Sequence, residues 1–153
     1  MGDVRGNYSN GRGTREKVVS LIGVVDDDES VRDALSSLLR SAGYKCDLFP
    51  SAEAFLESGR LGETDCMVLD IQMPGLNGLD LHRKLRKMNS SIPVIFVTGH
   101  ADYQLRAKAL AQGAAAFFGK PFSDEALLGA INSALQPVEH SIRNSKSAAL
   151  PMD

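Results

Sequence analysis

Three consecutive aspartates, Asp26, Asp27 and Asp28, close an apolar run; Asp70 closes another, Thr98 a third, and Lys120 stands two residues beyond the fourth at Phe118. Singly, each is ordinary, since an aspartate after a strand usually caps or turns the chain. Together they form a reaction set. Clustered carboxylates repel one another unless a cation lies among them, and hard oxygen donors suit octahedral Mg²⁺, or Mn²⁺, better than a thiophilic metal. With such an ion, a carboxylate oxygen of Asp70 can attack phosphorus and form an acyl phosphate. A hydroxyl at Thr98 and an ammonium at Lys120 would bind the phosphoryl oxygens, which matches a transfer catalysed mainly by positioning and charge neutralisation. His82, His100 and His140 are scattered, so neither a catalytic triad nor a histidine metal site is indicated. Cys46 and Cys66 lack a second ligand at metal spacing and read as reduced core thiols.

The elements that must position this set follow from hydrophobic pattern. VVSLIGVV (18–25) is a continuous apolar run, suited to a strand buried on both faces of a parallel sheet. Val31, Ala34, Leu35, Leu38 and Leu39 form a helical stripe stopped by Gly43. The alternation then recurs: a strand at 45–49 and a helix at 52–58 capped by Ser51; a strand at 66–70, the loop QMPGLNG and a helix carrying Leu81, Leu85 and Met88. A strand at 93–99 precedes a helix from about 101 to 112 that Gly113 ends, and a strand at 114–118 precedes a helix capped by Ser123 and ended by Pro137. Five strand–helix pairs with short connections predict an α/β, doubly wound parallel sheet with helices on both faces. In such a sheet ligands bind outside the carboxyl ends of the strands, which is where the reactive set falls.

With 153 residues, 43% of them hydrophobic, the chain can build one ordinary core but not two. The expected organisation is a flexible tail over 1–17, one domain over 18–136 and a polar tail over 137–153. A net charge of −2 and a pI near 5.9 give no general attraction to nucleic acid. Neither an apolar run of membrane-span length nor a secretory signal is present, so the expected location is the cytoplasm. Arg83, Lys84, Arg86 and Lys87 read as a solvated helix face.

VVDDDESVRDAL (24–35), VLDIQMPGLNG (68–78), VTGHAD (97–102) and FGKPF (118–122) resemble the signature segments of the response-regulator receiver family, CheY-like in fold. The match extends over about 18–136 and is most similar to the FixJ-type subgroup. The resemblance implies a flavodoxin-like strand order 2-1-3-4-5, with Asp70 as phosphoacceptor. It implies that Asp26 and Asp27 hold Mg²⁺ together with Asp70 and the backbone carbonyl of Gln72. Thr98 becomes the switch hydroxyl, Lys120 the phosphate-binding lysine, Pro121 the residue after a cis peptide bond, and Phe117 a rotating aromatic, partly exposed until phosphorylation. Gly75 and Gly78 match the turn that shapes the phosphorylation loop, where glycine relieves unusual backbone angles.

The implied phosphoryl donor is a histidine kinase or phosphotransfer protein, docking over the first helix, whose positions Arg32, Ser36 and Arg40 are expected to be exposed. The implied output surface is the fourth helix, fifth strand and fifth helix, including Leu105, Arg106 and Phe118, binding another protein or a second copy of the chain. FixJ-type regulators continue into a helix-turn-helix domain, whereas only residues 137–153 follow here. The expectation is a receiver without an output domain, either single-domain or a fragment, with no direct nucleic-acid or membrane contact. It is not an enzyme in the usual sense, but assists its own phosphorylation and dephosphorylation. Two rival readings are weaker: an aspartate-nucleophile phosphohydrolase would usually have a second aspartate where Gln72 stands, and three aspartates would repel a flavin phosphate. A receiver used as an interaction module without phosphorylation stays open.

Overall fold

A computed structural model describes residues 19–136. The elements are β1 (Leu21–Val25), α1 (Glu29–Ser41), β2 (Lys45–Phe49), α2 (Ala52–Ser58), a 3₁₀ turn (Leu61–Glu63), β3 (Cys66–Leu69), α3 (Gly78–Lys87), β4 (Val94–Thr98), α4 (Tyr103–Ala111), β5 (Ala116–Gly119) and α5 (Asp124–Ala134). All strand pairs are parallel, in the order β2-β1-β3-β4-β5. This is the CheY-like arrangement expected from the sequence. Both expected tails, 1–17 and 137–153, lie outside the described residues.

Central strands bury both faces, which is why β1 and β4 read as unbroken apolar runs rather than alternating ones. The sheet therefore divides the interior into two layers. On one side Leu35 and Leu39 of α1 and Leu127 and Ile131 of α5 pack on Ile22, Val24, Val68 and Ile95. On the other, Phe55 of α2, Leu81 and Leu85 of α3 and Ala109 of α4 pack on Val25, Met67, Leu69 and Phe96. Fully burying side chains of this size contributes about 1.5–3 kcal/mol each.

Polar side chains stop and start the elements. Asp28, Ser51, Asn77, Asp102 and Ser123 accept the orphan N–H groups at the starts of α1 to α5 in turn, and Asn77 forms a reciprocal capping box with Asp80. The fifth strand begins two residues later than its apolar pattern predicts. Gly113 turns at φ 105 and the Ala114 N–H donates to the Ala109 carbonyl at 3.1 Å, so this end of AAAFF still belongs to the helix terminus. The 3₁₀ turn lies in a stretch with no hydrophobic period and is braced by Arg60, which ion-pairs with Asp47 and Glu63.

Two glycines separate steric from conformational demand. A Cβ on Gly78 would collide with the Asp70 carbonyl oxygen and lie 2.9 Å from the Ile71 Cα, whereas one on Gly129, inside α5, would meet nothing within 4 Å. Gly78→Ala is therefore expected to lose roughly 1–3 kcal/mol through overpacking against backbone. Gly129→Ala should gain about 1 kcal/mol from helix propensity. Urea unfolding of the two variants beside wild type checks both signs.

Candidate functional site

The strand ladders carry two carboxylates to one edge. The Asp26 N–H donates to the Phe49 carbonyl at 3.1 Å and the Asp70 N–H to the Val25 carbonyl at 2.9 Å, so each extends its strand by one residue. Both are buried, at 2% and 6% exposure. Asp26 accepts the Asp28 N–H on Oδ1 at 2.9 Å, and its own carbonyl accepts the Arg32 guanidinium at 2.8 Å. Asp70 accepts the Gln72 N–H on Oδ1 at 3.2 Å.

Between these two carboxylates lies the Lys120 ammonium, 2.9 Å from Asp26 Oδ2 and 3.5 Å from Asp70 Oδ2. Lys120 is set by β5: its N–H donates to the Thr98 carbonyl at 2.8 Å, and the Lys120–Pro121 bond is cis. Thr98, at 0% exposure, ends the neighbouring β4 and accepts the His100 N–H on Oγ1 at 3.4 Å. Asp27 is exposed beside this group. Asp26, Asp27 and Asp70 can each offer an oxygen within 4.8 Å of the others. Because all three donors are carboxylate oxygens, the set fits a hard divalent cation such as Mg²⁺.

Burial, and then the charge of Asp26, push the Asp70 carboxyl above its ordinary range, although Lys120 and the Gln72 N–H pull the other way. Burial alone would depress the Lys120 ammonium; the hydrogen bond to Asp26 and the charges of Asp70 and Asp26 outweigh it, leaving Lys120 above its usual value. The exposed Asp28 is held low by its hydrogen bonds from Ser30, consistent with a capping role.

The response regulator receiver domain family matches residues 22–132. The chain belongs to that family. Response regulator protein TmoT of Ectopseudomonas mendocina is 48% identical over 117 residues, covering 76% of this chain and 53% of TmoT. Transcriptional regulatory protein FixJ of Bradyrhizobium diazoefficiens is 39% identical over 130 residues, covering 85% of this chain and 62% of FixJ. The structure of response regulator StyR superposes with a TM-score of 0.73 at 39% identity, covering 86% of this chain and 66% of that one. The chain spans about half the length of the curated relatives it matches. It carries the receiver domain of a two-component system, a class of signalling domain that binds Mg²⁺ at an acidic pocket. No helix among the described residues is long and apolar enough to cross a membrane.

Within this receiver domain, Asp26, Asp27, Asp70 and Lys120 converge, and Thr98 sits at the adjoining strand end. Gln72 is tied to Asp70 through its N–H; a role for its carbonyl rests on the resemblance alone. Three expectations need correction. Phe117 is only 6% exposed rather than partly open, because it packs in the α2–α4 layer and the Arg106 guanidinium lies over its ring. Arg32 and Ser36 are half-buried, Arg32 because its guanidinium braces the Asp26 carbonyl; of that trio only Arg40 is exposed. Gly75 does adopt a positive φ of 78, but Gly78 is required for its lack of a Cβ, not for its angles.

Sequence reasoning also passed over Glu53, whose carboxylate accepts the Leu76 N–H at 2.9 Å and so ties the loop after Asp70 to α2. No local pattern signals a contact between residues 23 positions apart.

The raised Asp70 carboxyl has a definite effect on stability. Below its ordinary value near 3.8 it is protonated whether the chain is folded or not, and burial costs nothing in charge. As pH rises through the raised folded value, the folded state must give up a proton against burial, and stability falls. Asp70→Asn removes this cost, while Lys120 keeps Asp26 as a partner. Urea unfolding from pH 4 to pH 7.5 should show the variant more stable than wild type at neutral pH, with the gap closing toward acid; a constant gap would contradict this account.

Proposed function

We propose that Asp70 accepts a phosphoryl group from a histidine kinase or phosphotransfer protein in a Mg²⁺-dependent reaction, and that the resulting acyl phosphate changes the surface formed by α4, β5 and α5. The observation that carries this reading is the Lys120 ammonium shared between two buried carboxylates, with a third carboxylate alongside. An Asp70 oxygen attacks phosphorus, the oxygen–phosphorus bond forms, and the bond to the donor's imidazole nitrogen breaks with its electron pair leaving on nitrogen. Lys120 then balances the charge that the phosphoryl group brings.

Asp26, Asp27 and Asp70, with the Gln72 carbonyl, would hold the cation, which when bound supplies further neutralisation of the phosphoryl oxygens. The same group of residues would assist attack of water on the acyl phosphate, returning the domain to rest.

The Thr98 hydroxyl would turn toward the new phosphoryl oxygens, and Phe117, one strand away, would respond to the space it leaves. Phosphorylation adds about −1.5 to −2 charges and three acceptor oxygens, enough to reorganise neighbouring donors. The output helix supports the reading: α4 presents Tyr103, at 84% exposure, together with exposed Ala107 and Leu110 at helical spacing. That stripe, with Leu105, Arg106 and Phe118, is suited to a protein partner or a second copy of the chain. An exposed apolar surface of this kind favours binding over solvation.

Incubation with acetyl phosphate and Mg²⁺ should add one phosphoryl group to the intact mass of wild type, and none to Asp70→Asn. Absence of labelling in wild type, or labelling of Asp70→Asn, would defeat the assignment. In Asp27→Ala, calorimetry should show weakened Mg²⁺ binding together with loss of most labelling. Unchanged affinity would remove Asp27 from the cation site.

A further inference from the structure

The three carboxylates that would surround a cation are not held alike. Asp26 and Asp70 are buried, and each accepts a main-chain N–H on Oδ1. Asp27 is exposed, and among the described residues no hydrogen bond reaches its side chain. Yet it offers an oxygen within 4.8 Å of the other two. Its place must therefore come from the main chain on either side of it.

That main chain is held at two points. After Asp27, the Asp28 N–H donates to Asp26 Oδ1 at 2.9 Å, closing a turn with Asp27 at its apex. Before it, Arg32 Nη1 donates to the Asp26 carbonyl at 2.8 Å. This carbonyl belongs to the peptide that joins Asp26 to Asp27. Because a peptide is planar and moves as one unit, a bond to its oxygen also sets its other end, the Asp27 nitrogen.

On charge alone, Arg32 is badly placed. It is the fourth residue of α1, and a cation in the first turn of a helix opposes the helix dipole. It also brings positive charge toward a group of carboxylates suited to a metal ion, which that charge repels. No carboxylate among the described residues forms an ion pair with it. Helical side chains lean back toward the amino end, and this lean carries the half-buried guanidinium six residues up the chain to Asp26. What Arg32 gains there is the hydrogen bond.

We propose that Arg32 is a positioning residue of the cation site, whose bond to the Asp26 carbonyl holds Asp27 where it can meet Asp26 and Asp70 around one ion. This role rests on the cation site of the proposed function and adds to it a residue that touches neither the ion nor phosphorus. Positioning and charge predict opposite signs. If the guanidinium acted mainly through its charge, removing it would tighten Mg²⁺ binding; if it acts by holding Asp27, removing it weakens binding in spite of the charge lost.

Wild type is compared with three variants. Arg32→Met loses both charge and donors, Arg32→Lys keeps the charge but loses the planar fork, and Lys87→Met removes an exposed charge at the far end of α3. Titration calorimetry with Mg²⁺ should show Arg32→Met binding about ten-fold more weakly, the low end of what orienting partners of metal ligands contribute. Arg32→Lys should fall between Arg32→Met and wild type, and Lys87→Met should match wild type. With acetyl phosphate as donor, the Mg²⁺ concentration for half-maximal labelling should rise by the same factor, while the rate at saturating Mg²⁺ keeps its wild-type value.

A merely structural role would lower the saturating rate instead. Mg²⁺ binding in Arg32→Met equal to or tighter than wild type would overturn the proposal, as would a lower saturating rate with no shift in the Mg²⁺ midpoint. Were Arg32→Met unable to fold, Arg32→Lys would decide by the same two readouts. If wild type bound Mg²⁺ but was not labelled, the phosphoacceptor reading would fail, and calorimetry would still decide the role of Arg32. Wild type that bound no Mg²⁺ would overturn the cation site and the role of Arg32 together.

Discussion

Asp26 and Asp70 are buried side by side at the end of the sheet, and the Lys120 ammonium, 2.9 Å from one and 3.5 Å from the other, is what lets them stay there. Like charges at this depth would otherwise drive one carboxyl to protonate or the strand edge to open. The fold is arranged to supply that ammonium. Asp26 and Lys120 lie 94 residues apart, and meet because β1 and β3 occupy the centre of the sheet while the cis bond and the Thr98 carbonyl anchor Lys120 beside them. A single ammonium does not balance three carboxylates, so the site keeps an excess of negative charge. This imbalance suits the group to a cation rather than an anion.

Around that centre, the neighbouring residues limit freedom rather than add charge. Arg32 braces the Asp26 carbonyl, Gly78 lets the start of α3 press on the Asp70 backbone, and Glu53 pins the intervening loop through Leu76. Each is a contact to the main chain beside a carboxylate or in the loop that follows one. Positioning of this kind matters most where transfer depends on geometry and electrostatics more than on covalent assistance.

Much of this was legible in the sequence. Apolar runs ending in Asp26, Asp70 and Thr98 marked both the strands and the sheet edge at which they converge, because buried parallel strands leave an unbroken apolar signal. Strand order and family followed from four short segments. What escaped was carried by single side chains acting at a distance. Arg106 and Gln112 sit on a helix with hardly any apolar period, and nothing local reveals that one covers Phe117 and the other is clasped by α3. Gly78 was noticed for the wrong property, since the approach of the Asp70 carbonyl exists only after α3 has docked. Likewise Phe117 was expected to be partly open because the arginine above it could not be foreseen.

The division of the interior into two apolar layers has a further consequence for traffic through the domain. α1 and α5 share one layer, while α2, α3 and α4 share the other, and the sheet stands between them as a septum. A protein seated on α1 and a protein seated on α4 would therefore press on opposite sides of the molecule and need not displace one another. Only a protein that reached round the edge of the sheet onto α5, which shares the layer of α1, would meet the first on its own side.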